Sequence, residues 1–523
     1  MIAFSAFGLF AQSPKDACTS IMVGKKASAD GSVMTSHTCD SWYRTWMQMT
    51  KPQDYPNDTV MSIYDGRMHT EYPSSTDGMK EKGQIPQAKH TFRFLDTAYP
   101  CLNEKQLAIG ETTYTGRDTM QNKKGMFMIE ELERVVLERC STARDAITLM
   151  GKLIKEYGYG DSGECLTIAD PKEVWIFEVQ GEGPDKVGGV WAAVRIPDDH
   201  IAVSANVSRI GKLNLKDKDN YMASDNVKDV AKKMGLWDGK EEFSFWKAYS
   251  GGNYMKEPKN YSVRELFIMN ELAPNAGFND KMEELPLSVK PEKKVSVEDM
   301  AHLLGSYYEG TPNAIFGRLK IKNPAKKADS AADVPDSIVS NFANPWMRPD
   351  EIAVYNAMGD KSMENIRTVS VSWCAYSTII QCRDWLPDGV GGVAWICLDN
   401  PGQSPRFPIF AGSTDVPELL KTCGQHRERD DAALWRYRKP NRLATVRWGQ
   451  SRKFTEPARD YFLKKGQREL PMVETLYQQY LNEGNEKEAA ALLTDYSKDF
   501  FGATINRWDE LGNQLWKQHW TGF

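Results

Sequence analysis

The sequence lacks any apolar run long enough to cross a bilayer. Its N-terminal apolar stretch, Ile2 to Phe10, falls far short of the ~20 residues that a spanning helix needs. It also lacks Cys-x-x-Cys and His-Glu-x-x-His, and its seven histidines are dispersed, so zinc has no spacing motif to anchor it. Neither sign of charge dominates. With 66 Lys and Arg against 71 Asp and Glu the net charge is −5, which gives no reason to expect nucleic acid or a polybasic membrane contact. Apolar residues are not short: 41% of 523 residues are hydrophobic, enough for a large core in one large domain or in two or three.

Cysteine is moderate, at nine residues. Setting Cys18 aside leaves an even number, which permits disulfides in an exported protein without demonstrating them. Ile2 to Phe10, ending in Ala11-Gln12, resembles the hydrophobic part of a signal peptide cut after Ala11, although no Lys or Arg precedes it. Lys15-Asp16-Ala17 does not suit a lipoprotein cysteine. Residues 1–17 are therefore expected to hold a signal peptide or pre-segment that serves export.

From Cys18 the chain reads as a hairpin. Thr19 to Val23 is extended, Asp30-Gly31 turns, and Val33 to Thr38 is extended again, followed by Asp40. Cys101 to Thr113 reads as a turn around Asn103-Glu104 leading into a strand. Residues 129–157 predict two helices, the first with Ile129, Leu132, Val136 and Cys140 on one packing face, the second opened by Thr142 with Asp145 and stopped by Gly158. Strands predicted at 166–169, 174–179, 190–196 and 201–207 form a meander that ends at Asn206, which also stands in a glycosylation sequon. Gly160-Asp161-Ser162-Gly163 matches a serine-protease tetrapeptide but lacks the upstream pattern such a chain requires. A helix is expected from Ser296 to about Tyr308 and an exposed insertion from 322 to 337. Two buried strands are predicted at 367–372 and 391–398, and helices dominate beyond Asp430.

The phrases Cys18-Thr-Ser-Ile-Met-Val-Gly, Asp30-Gly-Ser, Asn103-Glu104, Trp175-Ile-Phe-Glu, Trp191-Ala-Ala-Val-Arg-Ile-Pro-Asp-Asp and Ala205-Asn206 resemble the cysteine-type dipeptidases. These are N-terminal-nucleophile (Ntn) hydrolases related to secernins and, more distantly, to penicillin V acylases and bile-salt hydrolases. The resemblance runs from Cys18 to about Pro417. It implies an α+β fold, the four-layer αββα sandwich, over 18–420, with a helical region at 421–523 packed on it.

It also implies hydrolysis of dipeptides without a cofactor or metal. Residues 1–17 would be lost on maturation, through export and a second trimming that exposes Cys18. Cys18 would be the nucleophile, its freed α-amine the base, Asp40 the holder of that amine, and Asn103 and Asn206 donors to the oxyanion. Chemistry explains why the cysteine should come first: a thiol and an α-amine on one residue supply nucleophile and base together. Arg367 corresponds to an arginine near the nucleophile in the acylases. His37 stands where those relatives carry arginine, and Gln106 where the turn usually has glycine. The expected partners are small peptides, with no nucleic acid or membrane span, and the C-terminal helices offer packing or oligomer surface. An amidase acting on N-acylated small molecules and a secernin-like non-catalytic protein are the alternatives.

Overall fold

The computed structural model describes residues 18–250, 259–327, 333–358, 363–364 and 366–521. The expected pre-segment, residues 1–17, lies outside them. Two large antiparallel sheets dominate. The first contains β1 (Ser20–Val23), β2 (Val33–Cys39), β10 (Ile201–Ser204), β12 (Ser288–Val289), β13 (Tyr376–Cys382), β14 (Val393–Leu398) and β15 (Phe407–Phe410), in the order β12-β10-β1-β2-β13-β14-β15. The second runs β11-β9-β8-β7-β6-β5-β4-β3. Its strands are β3 (Gln48–Met49), β4 (Phe94–Asp96), β5 (Leu102–Asn103), β6 (Ala108–Thr115), β7 (Gly163–Ala169), β8 (Val174–Gly181), β9 (Gly189–Ile196) and β11 (Tyr221–Ala223).

The long strands of both sheets are buried almost throughout, because each has a covered face on both sides. Polar contacts nevertheless join the two sheets. Thr35 and Thr167 share a hydroxyl hydrogen bond of 2.6 Å, Thr112 and Ser204 one of 2.5 Å, and Ser20 Oγ donates to the Glu111 carbonyl at 3.2 Å. Gly110 makes this closeness possible. A Cβ there would lie 2.2 Å from the Ser36 carbonyl oxygen, so any larger residue would push β6 away from β2.

Helix α1 (Ile129–Arg139) and α2 (Ala143–Tyr157) follow the predicted boundaries. Thr142 accepts from the Asp145 N–H, and Gly158 ends α2 at φ 81°. In α1, however, burial extends beyond the expected apolar face to Glu130, Glu131 and Glu133. Helix α3 (Val263–Leu272) and α4 (Val297–Leu304) each begin with a capping box, Ser262 with Glu265 and Ser296 with Asp299.

The C-terminal helices α5 (Ala433–Thr445), α6 (Trp448–Asn482) and α7 (Glu486–His519) pack on one another, with α6 and α7 also against β15 and α5 against β14. There Phe501 meets Phe407 edge-on at 5.0 Å. All nine cysteines are buried, and among the described residues they form no disulfide. Among the described residues no helix is long and apolar enough to cross a membrane.

Two sequence expectations are corrected. The fourth strand of the expected meander, now β10, leaves β9 and pairs with β1 in the other sheet, through Ser20–Ser204 to Val23–Ile201. Its separation from β9 by a tight Pro197-Asp-Asp-His turn looks like a hairpin in sequence, and the turn instead carries the chain between sheets. Residues 367–372 form no strand; the partner of β2 is β13, with His37 opposite Thr378. Gln106 adopts φ 63° in its turn, a conformation that glycine takes without cost. Its amide is held there by the Arg383 backbone and Asp388.

Candidate active site

Cys18 directly precedes β1 and is fully buried. The next residue is fixed against β2: Thr19 N–H donates to Thr38 Oγ1 at 2.8 Å, and Thr38 N–H returns to the Thr19 carbonyl at 3.0 Å. Thr38 Oγ1 then donates to Asp40 Oδ2 at 2.9 Å, and Arg367 Nη2 reaches the same oxygen at 2.5 Å. Asp40 is fully buried, and its Oδ1 has no hydrogen-bond partner among the described residues. The Cys374 thiol lies beside that carboxylate, and the Asp40 backbone N–H points to the Cys18 sulfur.

Burial pushes the Cys18 thiol well above its ordinary range, with Glu111, Cys39 and Asp40 adding to the rise and the Asp40 N–H opposing it. With the peptide bond to Ala17 in place, the Cys18 nitrogen is an amide, and no base belongs to this residue. The intact chain therefore holds a protonated thiol.

Arg264 is the cation nearest to Cys18 in the hydrogen-bond network. The Ser262–Glu265 capping box starts α3, and Glu265 Oε1 also accepts from the Ala205 N–H at 2.7 Å, which ties the helix start to the end of β10. Arg264 is thereby held against the Cys18 backbone. Its Nη1 donates to the Cys18 carbonyl at 2.6 Å and to Thr19 Oγ1 at 3.0 Å. Its Nη2 donates to the Ala205 carbonyl at 3.0 Å and to Asn206 Oδ1 at 2.8 Å. Burial, and then the like charge of Arg367, bring its pKa down to about 10, so it stays cationic at neutral pH. Asn206, at φ 65°, also donates from Nδ2 to the Thr113 carbonyl at 2.6 Å.

His37 faces the other sheet. Its Nδ1 lies 2.7 Å from the Glu111 carbonyl oxygen, and Tyr99 packs edge-on at 5.1 Å. Burial lowers its pKa to about 4, so the ring is neutral at working pH. Sulfur of Cys18, a ring nitrogen of His37 and a carboxylate oxygen of Glu111 all lie within 4.8 Å of one another. These three residues could hold a soft divalent ion, a donor set assembled from three segments that no sequence spacing announces.

Asn103 does not join this group. Both of its amide hydrogens are taken, by the Leu137 carbonyl at 2.9 Å and the Cys140 carbonyl at 2.8 Å. Its Oδ1 accepts from the Lys105 and Leu107 N–H groups. The expected oxyanion role is corrected here: this asparagine ties the β5–β6 turn to the C-terminal end of α1. A cleft of about 740 Å³ between α5 and α7, lined by Trp435, Arg436, Asp509 and Trp516 among others, shares no residue with the Cys18 cluster.

The model of peptidase family C69 matches residues 17–460, and its match begins one residue before Cys18. The chain belongs to peptidase family C69. It is a cysteine-type peptidase. Among curated proteins it is similar to a "Probable dipeptidase" of Latilactobacillus sakei, 27% identical over 425 residues that cover 77% of this chain and 76% of that one. A "Probable dipeptidase" of Salmonella dublin is 28% identical over 408 residues, 76% of this chain and 81% of the relative. A "Probable dipeptidase B" of Lactococcus lactis subsp. lactis is 24% identical over 416 residues, 77% and 76% respectively.

In this C69 peptidase the fold places Asp40, Arg367, His37 and Asn206 in the surroundings of Cys18, while the Asn103 amide is bonded to the end of α1. Sequence reasoning missed Arg264 and Glu111. Ser262-x-x-Glu265 is a legible capping signature, but nothing local marks Arg264 as more than a first-turn helix residue. Glu111 reads as one polar position in an alternating strand.

Proposed function

We propose that this protein hydrolyses dipeptides, with Cys18 as the N-terminal nucleophile of a mature chain lacking residues 1–17. The observation that carries the reading is the pairing of a fully buried thiol with the Asp40 carboxylate, whose Oδ1 has no hydrogen-bond partner among the described residues. Cleavage before Cys18 would create an α-ammonium where a neutral amide now stands. That cation suits the Asp40 carboxylate, and it counters the burial that keeps the thiol protonated.

In the proposed reaction the α-amine takes the thiol proton and sulfur attacks the scissile carbonyl carbon. The carbonyl π electrons move onto oxygen, and donors on the Asn206–Arg264 side oppose the developing charge. Collapse breaks the C–N bond, the amine passes its proton to the departing amino acid, and a thioester remains. Water, deprotonated by the same amine, cleaves the thioester and restores the thiol.

The cross-sheet contacts, with α1 and α2 against one sheet and α3, α4 and the C-terminal helices against the other, support the αββα layering. The terminal apolar stretch supports export. Intact-mass measurement and N-terminal sequencing of fully active enzyme test the reading. The expected mature protein starts at Cys18, hydrolyses dipeptides in the presence of EDTA and loses turnover on Cys18→Ala. Full activity with residues 1–17 attached would sink it.

A further inference from the structure

The mechanism above leaves a buried acidic group beside the nucleophile unused. Glu111 on β6 is fully buried, with a carboxylate oxygen within 4.8 Å of the Cys18 sulfur. Glu164, on the neighbouring strand β7, shares a carboxyl–carboxyl hydrogen bond with it, and burial, then the repulsion of Glu111, raise the Glu164 pKa.

Two further groups face this pair. Glu133 on α1 is fully buried and neither of its carboxyl oxygens has a hydrogen-bond partner among the described residues. The charged neighbours that act on it are Glu111 and Glu130, both acids. Tyr159, also fully buried, has a hydroxyl without a partner among the described residues and feels the charge of Glu164 and Glu111. His37, the basic side chain against Glu111, is neutral, with a pKa of about 4. Leaving a buried polar group unsatisfied costs roughly 1–3 kcal/mol, more for a charge, so such a group calls for a guest that satisfies it.

Substrate geometry names the guest. In a peptide with a free N-terminus the α-nitrogen lies two bonds, about 2.5 Å, from the carbonyl carbon of the same residue. Sulfur approaches that carbon to about 3–3.5 Å before attack. The nitrogen of the residue being acylated onto Cys18 therefore comes within a few ångströms of the sulfur, the distance range in which Glu111 stands.

We infer that Glu111, backed by Glu164 and Glu133, receives the α-ammonium of the substrate's N-terminal residue and so restricts the site to peptides with a free amine. The inference rests on the reading of Cys18 as the peptidase nucleophile. An N-acylated peptide would bring a neutral amide where the acidic group is set to meet an ammonium, the kind of mismatch that a site built for a polar partner rejects by about 10,000-fold.

The test compares Ala-Ala with its des-amino analogue, propionyl-alanine, on the mature enzyme. The wild type should favour Ala-Ala at least about 1000-fold in kcat/KM. Glu111→Gln should lose about 100-fold on Ala-Ala relative to the analogue, mainly through KM, so that the preference falls by about that factor. Glu164→Gln should move the same ratio in the same direction if Glu111→Gln does not fold or mature.

The wild type alone supplies an independent reading. Between pH 7 and 9.5 the dipeptide amine, of pKa about 8, loses its proton, and the preference should fall about 30-fold while Cys18 chemistry affects both substrates alike. Equal kcat/KM for the two substrates, or a ratio constant across that pH range, overturns the inference and leaves the dipeptidase reading standing. Hydrolysis of neither overturns the dipeptidase reading itself, and the inference with it.

Discussion

Arg264 donates to the carbonyl oxygen of Cys18 at 2.6 Å, across 246 residues of sequence. The same guanidinium holds Asn206, so the nucleophile's backbone and the asparagine beside it move as one unit. A planar fork is needed to reach four acceptors, and lysine cannot reproduce it.

Arg264→Lys should therefore leave a folded protein with kcat reduced about 100-fold or more, the order of loss seen when an oxyanion donor is removed or misplaced. Circular dichroism establishes folding and steady-state kinetics gives the loss. Turnover at the parental rate would mean that Arg264 only braces the fold.

Asn103→Ala carries the opposite expectation. It strips hydrogen bonds from two carbonyls at the end of α1 and from two N–H groups of the turn, so stability should fall by about 2–3 kcal/mol. Well below the melting temperature kcat should change less than about threefold. A loss of 100-fold in kcat without a shift in melting temperature would restore the oxyanion role that the sequence suggested.

Asp40→Asn tests the proposed grip on the mature amine. A carboxylate beside an ammonium raises the ammonium's pKa, so the acidic limb of kcat/KM, where that amine must lose its proton, should move to lower pH in the variant. An unmoved limb, with the rate lowered, would assign Asp40 to the thiol or to Arg367 alone.

His37 offers a stability prediction. Its pKa is depressed by burial from 6.5 to about 4, so the unfolded chain binds this proton first as pH falls. The contribution is fully present above pH 6.5 and is lost as pH drops toward about 4. Wild type should lose up to about 3 kcal/mol relative to His37→Gln across that window. Denaturant unfolding of both proteins between pH 4 and 7 measures the difference, and NMR of the His37 ring should show no protonation near pH 6.5. A ring that titrates near 6.5 contradicts it.

Local chemistry written along the chain sufficed for much of this protein. The β1–β2 hairpin that follows Cys18, the Thr142 cap and Gly158 stop of α2, and the alternating strands β7 to β9 follow from turn residues, caps and periodicity, all of which act over a few positions. The Cys18 motif likewise pointed to Asp40 on the strand that returns from the first turn. Tertiary structure alone decided the rest. Whether Ile201–Ser204 extends the β7–β9 meander or crosses to β1 depends on which sheet edge is available, and both choices bury the same apolar face. Asn103 had the same amide whether it faced a carbonyl carbon under attack or the end of α1, and only packing chose between them. Arg264 and Glu111 reach Cys18 because a capped helix docks on β10 and because Gly110 lets β6 lie close against β2. Those encounters join residues far apart in sequence, where side-chain type alone carries no record of the partner.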